Sequence, residues 1–303
     1  MAISRGQLVK ELEPGLNALF GLEYKRYENQ HAEIYTTESS DRAFEEEVML
    51  SGFAQAQTKS EGAGVVFDNA QETYTARYTH ETVALAFSIT EEAIEDNLYD
   101  RLASRYTKAL ARSMANTKQV KAVAPLINGL PTNDAFDSGD GVSLFNTAHP
   151  TIAGIVANTL ATQADLNETS LEQSLIDIAA MTDERGLKIA ARGVKMIVPS
   201  ELQFTAERLM KSQGRVGTAD NDINAIVSMG MVPQGYRVNN FLTDPDAFYI
   251  ITDVPNGMKY FDRASIKTAM EGDFDTGNVR YKARERYSFG VSDPRGIFGV
   301  EGA

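Results

Sequence analysis

The sequence contains no cysteine, no tryptophan and only three histidines among its 303 residues. Without cysteine, the chain can form no disulfide, no zinc–thiolate site and no thiol nucleophile. Three scattered histidines leave few groups for metal binding or acid–base catalysis. The composition therefore favours a protein that is not an enzyme, and we expect no cofactor and no bound metal.

Long apolar runs are also missing. No stretch approaches the 18 residues that would indicate a membrane span, and the first residues, MAISRGQLVKELEPG, lack the apolar core of a signal peptide. The formal net charge of -13 opposes nucleic-acid binding, which needs Lys and Arg to displace counterions. We expect a globular protein with no membrane partner and no sequence-specific binding of nucleic acid.

One stretch, residues 88–124, has neither Gly nor Pro and carries a single apolar stripe at helical spacing. Its acidic residues precede its basic residues, an order that complements the helix dipole. Ser88 with Glu91, or Thr90 before two glutamates, would cap its first turn. The pattern predicts a helix over residues 90–124, about 34 residues and roughly 50 Å long.

Residues 44–79, here called the hairpin arm, precede that helix. The segment KSEGAG at 59–64 is a turn signal, and residues 73–79 alternate as a half-exposed strand does. This predicts a two-stranded arm reaching about 50 Å, which is marginal in water unless it lies on something else. Residues 6–24 predict two short helical pieces broken at Pro14 and Gly15, held by a neighbouring subunit.

The middle of the chain reads as a second, α/β-type unit after a loop-rich region at 128–147. Thr169 with Glu172 predicts the start of a helix, residues 194–198 form a short apolar strand, and Ser200 with Gln203 predicts the cap of another helix. A polar, glycine-rich loop follows at 214–224. Before the long helix, residues 82–89 predict a strand with alternate apolar side chains on one face.

The last long strand, residues 279–291, alternates cleanly between two faces. One face is apolar, with Glu285 as its only charge. The other face carries four bases, Arg280, Lys282, Arg284 and Arg286. This basic face is open to three interpretations: a solvated face, a surface that pairs with acids on a neighbouring copy, or a nucleic-acid contact.

A second row of bases follows the long helix at helical spacing. Its members are Arg101, Arg105, Lys108 and Arg112. The row is either a solvated face or a surface that receives acids from another subunit, for which Glu45, Glu46 and Glu47 of the hairpin arm are candidates. Further candidate interface residues are Lys59 and Glu61 at the tip of the arm, and Arg215 and Asp220 in the polar loop.

Two motifs that could carry chemistry do not support an enzyme. His149, in FNTAHPT, has no acid or nucleophile placed with it, so a loop hydrogen-bonding role is favoured over a hydrolase site. The segment EGDFDTGN at 271–278 resembles a calcium loop, but its glycine falls one place early. Arg284 also stands where a bidentate Glu would be needed, which favours a structural turn.

Several stretches together resemble the major capsid proteins of tailed bacteriophages with the Hong Kong 97-type fold, particularly the Mu-like major head subunit group. They are YTTESSDRAFEEEVMLSGFAQ (35–55), YTARYTHETVALAFSITEEAIEDNLYD (74–100), LFNTAHPT (144–151), VPSELQFTAERLM (198–210), VGTADNDINAIVSMG (216–230) and GDFDTGNVRYKARERYSFGVSDPRG (272–296). The resemblance implies an α+β fold in four parts. These are an N-terminal arm (1–43), an extended E-loop (44–80), a peripheral domain with a long spine helix (81–129 and 262–303) and an axial domain (130–261).

The resemblance also implies a function. The chain would be a structural subunit that assembles into hexamers and pentamers of an icosahedral shell around double-stranded DNA. It would be made in the host cytoplasm and located in the virion. Implied partners are other copies of the chain, a separate scaffolding protein (since the region before the arm is too short to hold a scaffold segment), a portal and possibly a decoration protein. An encapsulin-type nanocompartment shell is the alternative.

Overall fold

The computed structural model describes residues 5–90, 92, 99–133, 135–214, 222–273 and 277–303. Five α-helices lie in these ranges: α1 (Arg5–Arg26), α2 (Tyr99–Asn128), α3 (Glu168–Ala180), α4 (Gln203–Lys211) and α5 (Ala225–Ser228). The strands are β1 (Thr36–Ser39), β2 (Phe44–Leu50), β3 (Glu72–Thr79), β4 (Glu81–Ile89), β5 (His149–Thr151), β6 (Gly154–Val156), β7 (Gly193–Val198), β8 (Tyr236–Val238), β9 (Phe248–Thr252), β10 (Met258–Gly272), β11 (Val279–Val291) and β12 (Ile297–Val300).

The strands form two four-stranded sheets and two ribbons. The first sheet has the order β1-β10-β11-β4, and the second has the order β12-β9-β7-β8. Within the described ranges, β2 and β3 pair only with each other, as do β5 and β6. The mixture of helices and sheets is the predicted α+β class.

Helix α2 lies on one face of the first sheet, where Leu110 and Met114 pack against Tyr281 and Ala283 of β11. The long helix predicted from the sequence is therefore confirmed, although it continues to Asn128. At 1.5 Å per residue its 30 described residues span about 45 Å. The proposed cap at Ser88 is wrong, because that residue belongs to β4. Residues 91 and 93–98, where the predicted first turn falls, lie outside the described residues.

The predicted break in the N-terminal region is wrong. Helix α1 runs without interruption through Pro14 and Gly15. Its side chains Leu16 and Phe20 are 8% and 3% exposed and join the cluster between α2 and β11. Burial of this apolar face offsets the cost of a proline inside a helix. The helix thus packs on its own subunit, whereas the sequence predicted that a neighbour holds it.

The second unit is built on the sheet of β7, β8, β9 and β12, as the predicted α/β order indicated. Its core contains Met196, Phe248 and Phe298, each fully buried. The predicted helix caps are wrong. Asn167, not Thr169, caps α3 through a reciprocal pair of hydrogen bonds with Ser170, because the helix begins two residues earlier than predicted. Helix α4 has no side-chain cap bond.

The hairpin arm is a shorter ribbon than predicted. The ladder joins 44–50 to 72–79, and residues 51–71 are in neither strand nor helix. The predicted strand pairing out to the tip at 59–64 is therefore wrong. The tip residues are exposed and find no apolar surface on the described part of their own subunit. An isolated ribbon without such support is marginal in water.

The junction between α1 and β1 is a short 3₁₀ turn that carries a buried histidine. His31 is 6% exposed and lies 5.4 Å and 5.7 Å from the rings of Tyr260 and Phe289. Its Nδ1 lies 3.0 Å from Nε2 of Gln119. Burial, followed by the charge of Lys118, lowers the pKa of His31 to about 4. The neutral ring is therefore part of the folded state.

We expect Phe20→Ala to lower the free energy of unfolding by about 3–5 kcal/mol, because it removes a buried ring from the α1–α2 contact. Leu22→Ala is the matched control, since Leu22 lies two residues away and is 73% exposed. It should change stability by less than about 0.5 kcal/mol. Urea unfolding measures both variants. Equal effects would show that α1 does not stabilise the subunit.

We also expect the subunit to lose stability as the pH falls from 6.5 towards 4. The folded state binds a proton on His31 less readily than the unfolded chain, so the stabilisation is complete above pH 6.5 and is lost below it. The shift corresponds to roughly 3 kcal/mol. In His31→Asn, whose amide oxygen can still accept from Gln119, this part of the pH dependence should disappear from unfolding curves. An unchanged slope would contradict the prediction.

Candidate functional site

The root of the hairpin arm is attached to its own subunit by ion pairs with one buried base. Lys259, only 6% exposed, binds the carboxylates of Glu47 and Glu38, the latter at 3.1 Å. Glu47 also accepts a hydrogen bond from Ser292, whose Oγ lies 2.5 Å from the hydroxyl of Tyr78. The inward face of the arm is therefore attached by ionic and polar contacts.

A second polar chain reaches Glu45. Ser40 Oγ donates its proton to Glu45 at 2.6 Å. The same oxygen must therefore accept from Nε2 of His80, which lies 2.9 Å away. Nδ1 of the same ring then accepts from Ser288 Oγ at 2.9 Å. Burial lowers the pKa of His80, which agrees with this neutral ring. Both inward acids of the arm are thus bonded within the subunit, whereas Glu46 faces outward beside Arg77 at 3.7 Å.

The returning strand β3 and the residues just before it are bonded to the segment after β11 and to the loop after α3. The hydroxyl of Tyr74 donates to the carbonyl of Ser292 at 3.1 Å, next to the buried pair of Arg295 and Asp293. Arg185 donates to the carbonyl of Asn69 at 2.6 Å. These contacts therefore fix the orientation of the arm relative to the rest of the subunit.

Large apolar side chains are exposed on the outward face of the arm and in the segments that flank its tip. Large hydrophobic side chains exposed in this segment are Phe44 (38%), Val48 (44%), Leu50 (62%), Phe53 (61%), Val65 (69%), Val66 (67%) and Phe67 (93%). Such a concentration of exposed apolar groups in one protruding segment marks an interaction site.

The row of bases on α2 is exposed at Arg105, Lys108 and Arg112, and none of the three forms an ion pair with another described residue. Lys59 and Glu61 are also exposed at the tip of the arm. The side chain of Arg101, together with Arg215 and Asp220, lies outside the described residues. The structure does not bring the α2 row near Glu45 or Glu47 of the same subunit, because those acids are bonded elsewhere.

Strand β11 has the two faces predicted from its alternation. Tyr281, Ala283, Glu285 and Tyr287 are buried, whereas the side chains of alternate residues project from the other side of the sheet. Glu285, 1% exposed, lies 3.4 Å from Nζ of Lys118 and accepts from the hydroxyl of Tyr24 at 3.0 Å. Burial raises its pKa. The single charge on the apolar face was a sequence signal for this buried contact.

His149 is bonded on both ring nitrogens. Nδ1 lies 2.6 Å from Asp140, and Nε2 lies 3.0 Å from Oδ1 of Asn158 and 3.2 Å from the carbonyl of Leu144. The ring is buried and joins loop segments, which is the structural role favoured by the sequence, but the expectation that no acid lies beside it is wrong because Asp140 does. Over the ranges that the structure covers, no acidic or histidine cluster could hold a metal, and no helix is long and apolar enough to cross a membrane.

These features define a class of protein. A long helix on one face of a sheet, a second α/β unit and a protruding two-stranded arm form the Hong Kong 97-type fold of phage capsids. The capsid of cyanophage P-SCSP1u matches with a TM-score of 0.56 and 11% identity, covering 89% of this chain and 86% of that one. The capsid of Myoviridae phage XM1 matches with a TM-score of 0.53, 11% identity and 89% coverage of both chains.

A virus-like particle from Pyrococcus furiosus has the same fold, with a TM-score of 0.52 and 10% identity over 94% of this chain and 98% of that one. No curated protein matches the sequence. The family model described as "Phage capsid protein" matches residues 73–300. The chain therefore belongs to the phage capsid protein family. It is a major capsid subunit, a structural component of the virion and not an enzyme, as the sequence predicted.

The ion pair of Glu47 with Lys259 at the root of the arm can be tested by substitution, with the neighbouring Glu46 as the control. Glu47→Gln should weaken the bond to Lys259, lower stability by about 2 kcal/mol and speed amide hydrogen exchange in β2 and β3. Glu46→Gln changes an exposed acid on the same strand and should alter stability by less than about 0.5 kcal/mol. Hydrogen exchange followed by mass spectrometry measures both. Similar exchange in the two variants would contradict the role assigned to Glu47.

Proposed function

We propose that this subunit assembles into hexamers and pentamers of an icosahedral shell that encloses double-stranded DNA, with the hairpin arm lying on an adjacent subunit. The observation that carries the proposal is the set of large apolar side chains on the outward face of the arm and beside its tip, which the described part of its own subunit leaves exposed. An apolar surface of this kind becomes stable when another copy covers it. Many such contacts around a closed shell reinforce one another.

The proposal keeps the division into an N-terminal arm (1–43), E-loop (44–80), peripheral domain (81–129 and 262–303) and axial domain (130–261). Its support is that the first and second sheets each have a core cluster, although β12 (Ile297–Val300), in the range given to the peripheral domain, pairs with β9 in the second sheet. We further infer a separate scaffolding protein, a portal and possibly a decoration protein as partners, with synthesis in the host cytoplasm. The assignment to the Mu-like group stays a prediction.

An encapsulin-type compartment is the alternative, because the virus-like particle from Pyrococcus furiosus shares the fold. The two functions differ in how the shell forms. Electron microscopy of the purified chain should show sheets, tubes or irregular shells if assembly depends on a scaffold. Small uniform shells formed by the chain alone would favour the compartment.

The apolar tip can be tested by substitution. Phe53→Ser with Phe67→Ser should leave the fold intact and reduce assembly at least about tenfold, since each ring loses a contact worth more than 1.4 kcal/mol. Ile155→Ser with Ile176→Ser is the control, because these side chains are 69% and 61% exposed outside the arm. Sedimentation velocity gives the assembled fraction. Normal assembly of the tip variant would refute the proposed interface.

A further inference from the structure

A cluster of buried charges lies where the hairpin arm, the end of the first sheet and the second unit meet. The side chains of this cluster are 2% to 9% exposed, and its members are Asp140, His149, Glu184, Asp293 and Arg295. Glu184 belongs to the loop after α3, whereas Asp293 and Arg295 lie in the connection from β11 to β12. The charge that each member carries follows from its hydrogen bonds.

The amide of Asn158 determines the proton on one nitrogen of His149. Its Nδ2 donates to the carbonyls of Leu144 and Pro294 at 2.7 Å and 3.0 Å, and its Oδ1 accepts from the backbone N–H of Asn146 at 2.9 Å. The oxygen of this amide is therefore the atom that lies 3.0 Å from Nε2 of His149. Since an oxygen without hydrogen can only accept, Nε2 carries a proton.

The other nitrogen of His149 carries a proton as well. Nδ1 lies 2.6 Å from a carboxylate oxygen of Asp140, a separation that requires a hydrogen between the two atoms. Burial opposes the ionisation of Asp140, but hydrogen bonds from His149 and Ser138 lower its pKa, so the shared proton lies on the ring. His149 is thus an imidazolium, and its pair with Asp140 is neutral as a whole.

The other three members have one negative charge in excess when all are ionised. Arg295 binds Asp293 through three hydrogen bonds of 2.8 Å to 3.2 Å. Glu184 is the weaker partner of the same guanidinium, with Oε1 at 3.4 Å. Its Oε2 is buried and has no hydrogen-bond partner among the residues that the structure describes. One guanidinium therefore faces two carboxylates.

A proton can remove the excess charge, whereas a hydrated cation cannot. The cavity beside Glu184 measures about 10 Å³, which is room for one water molecule at most. Burial raises the pKa of Glu184. Arg295 opposes that rise, and the charges of Asp293, Asp183 and Asp140 add to it. A neutral carboxyl also costs far less to bury than a carboxylate without a full partner.

The groups around Glu184 connect three parts of the subunit. The carbonyl of Glu184 accepts from the N–H of Ala153, between β5 and β6, at 3.1 Å. Arg295 donates to the carbonyl of Thr182 at 3.2 Å and reaches Sδ of Met49 in β2 at 3.8 Å. Tyr74 of β3 lines the same cavity. Repulsion at Glu184 would therefore act on the arm, on the connection between the sheets and on the second unit together.

We propose that Glu184 is protonated in the folded subunit and that loss of this proton, as the pH rises, loosens the junction of the hairpin arm with the two sheets. An ionised Glu184 is repelled by Asp293 and Asp140 in a region that water does not screen. The inference goes beyond the proposed assembly and does not depend on it, because the cluster lies within one subunit.

The direction of the pH effect follows from proton linkage. The folded chain binds the proton of Glu184 more readily than the unfolded chain does. This stabilisation is therefore complete below the ordinary pKa of glutamate, 4.5, and is lost as the pH rises through the raised pKa of the folded state. His31 acts in the opposite direction. Comparison of two chains at the same pH removes the contribution of His31, which both contain.

Glu184→Gln tests the inference, because the amide has the shape of the neutral carboxyl and does not ionise. At pH 8, amide hydrogen exchange in residues 151–156, 182–188 and 292–296 should be at least about threefold slower than in the parent chain, and at pH 5 the two should agree within about twofold. Glu201→Gln changes an exposed glutamate and is the matched control. It should match the parent at both pH values.

Infrared spectra of the folded subunit report the proton directly. The carbonyl stretch of a protonated carboxyl should be present in the parent at pH 5, decrease towards pH 8 and be reduced at pH 5 in Glu184→Gln. Glu184→Met, a second neutral variant of similar length, should change exchange and spectrum in the same direction, and unfolding curves verify that each variant folds. Exchange at pH 8 that is equal to or faster than in the parent would overturn the inference. A protonated band that neither substitution reduces would also overturn it.

Discussion

The inner face of strand β11 has to be shielded from water, and α1 and α2 together provide that shield. Tyr281 and Ala283 are buried beneath Phe20 and Met114, and the rest of the first sheet is positioned by this contact. The buried contact of Glu285 with Lys118 and Tyr24 ties the three elements together. Because an unpaired buried charge is costly, it favours one register of helix on sheet.

The opposite face of the same strand has the reverse requirement. Its central bases, Lys282 and Arg284, lie beside alanines and a lysine of the adjoining strands, whereas Glu271 lies across from Arg280. The hairpin arm also lacks a partner for part of its surface, because the described part of its own subunit does not cover its apolar side chains. In the proposed assembly, a neighbouring copy covers the apolar side chains of the arm. The features that the isolated subunit leaves incomplete are thus those that a capsid subunit needs.

Attachment of the arm differs from the packing of the cores. Ala76, Tyr78 and Phe261 form only a small apolar cluster at its root, and ion pairs and hydrogen bonds supply the remaining contacts. Directional polar contacts fix the angle at which the arm leaves the body, whereas apolar contacts are not directional. An arm held in this way has its outward face in a defined orientation relative to its own subunit.

The sequence by itself determined the long helix, the two faces of β11 and the α+β class, because apolar periodicity reports which face of an element is buried. Its resemblance to phage capsid proteins was confirmed by the family. Tertiary structure decided what periodicity cannot express. Burial of Phe20 stabilises α1 as one helix despite Pro14. The ion pair with Lys259 holds the side chain of Glu47 on the inward face of the arm. Lack of support ended the arm's ladder at Leu50, since a strand persists only where something covers it.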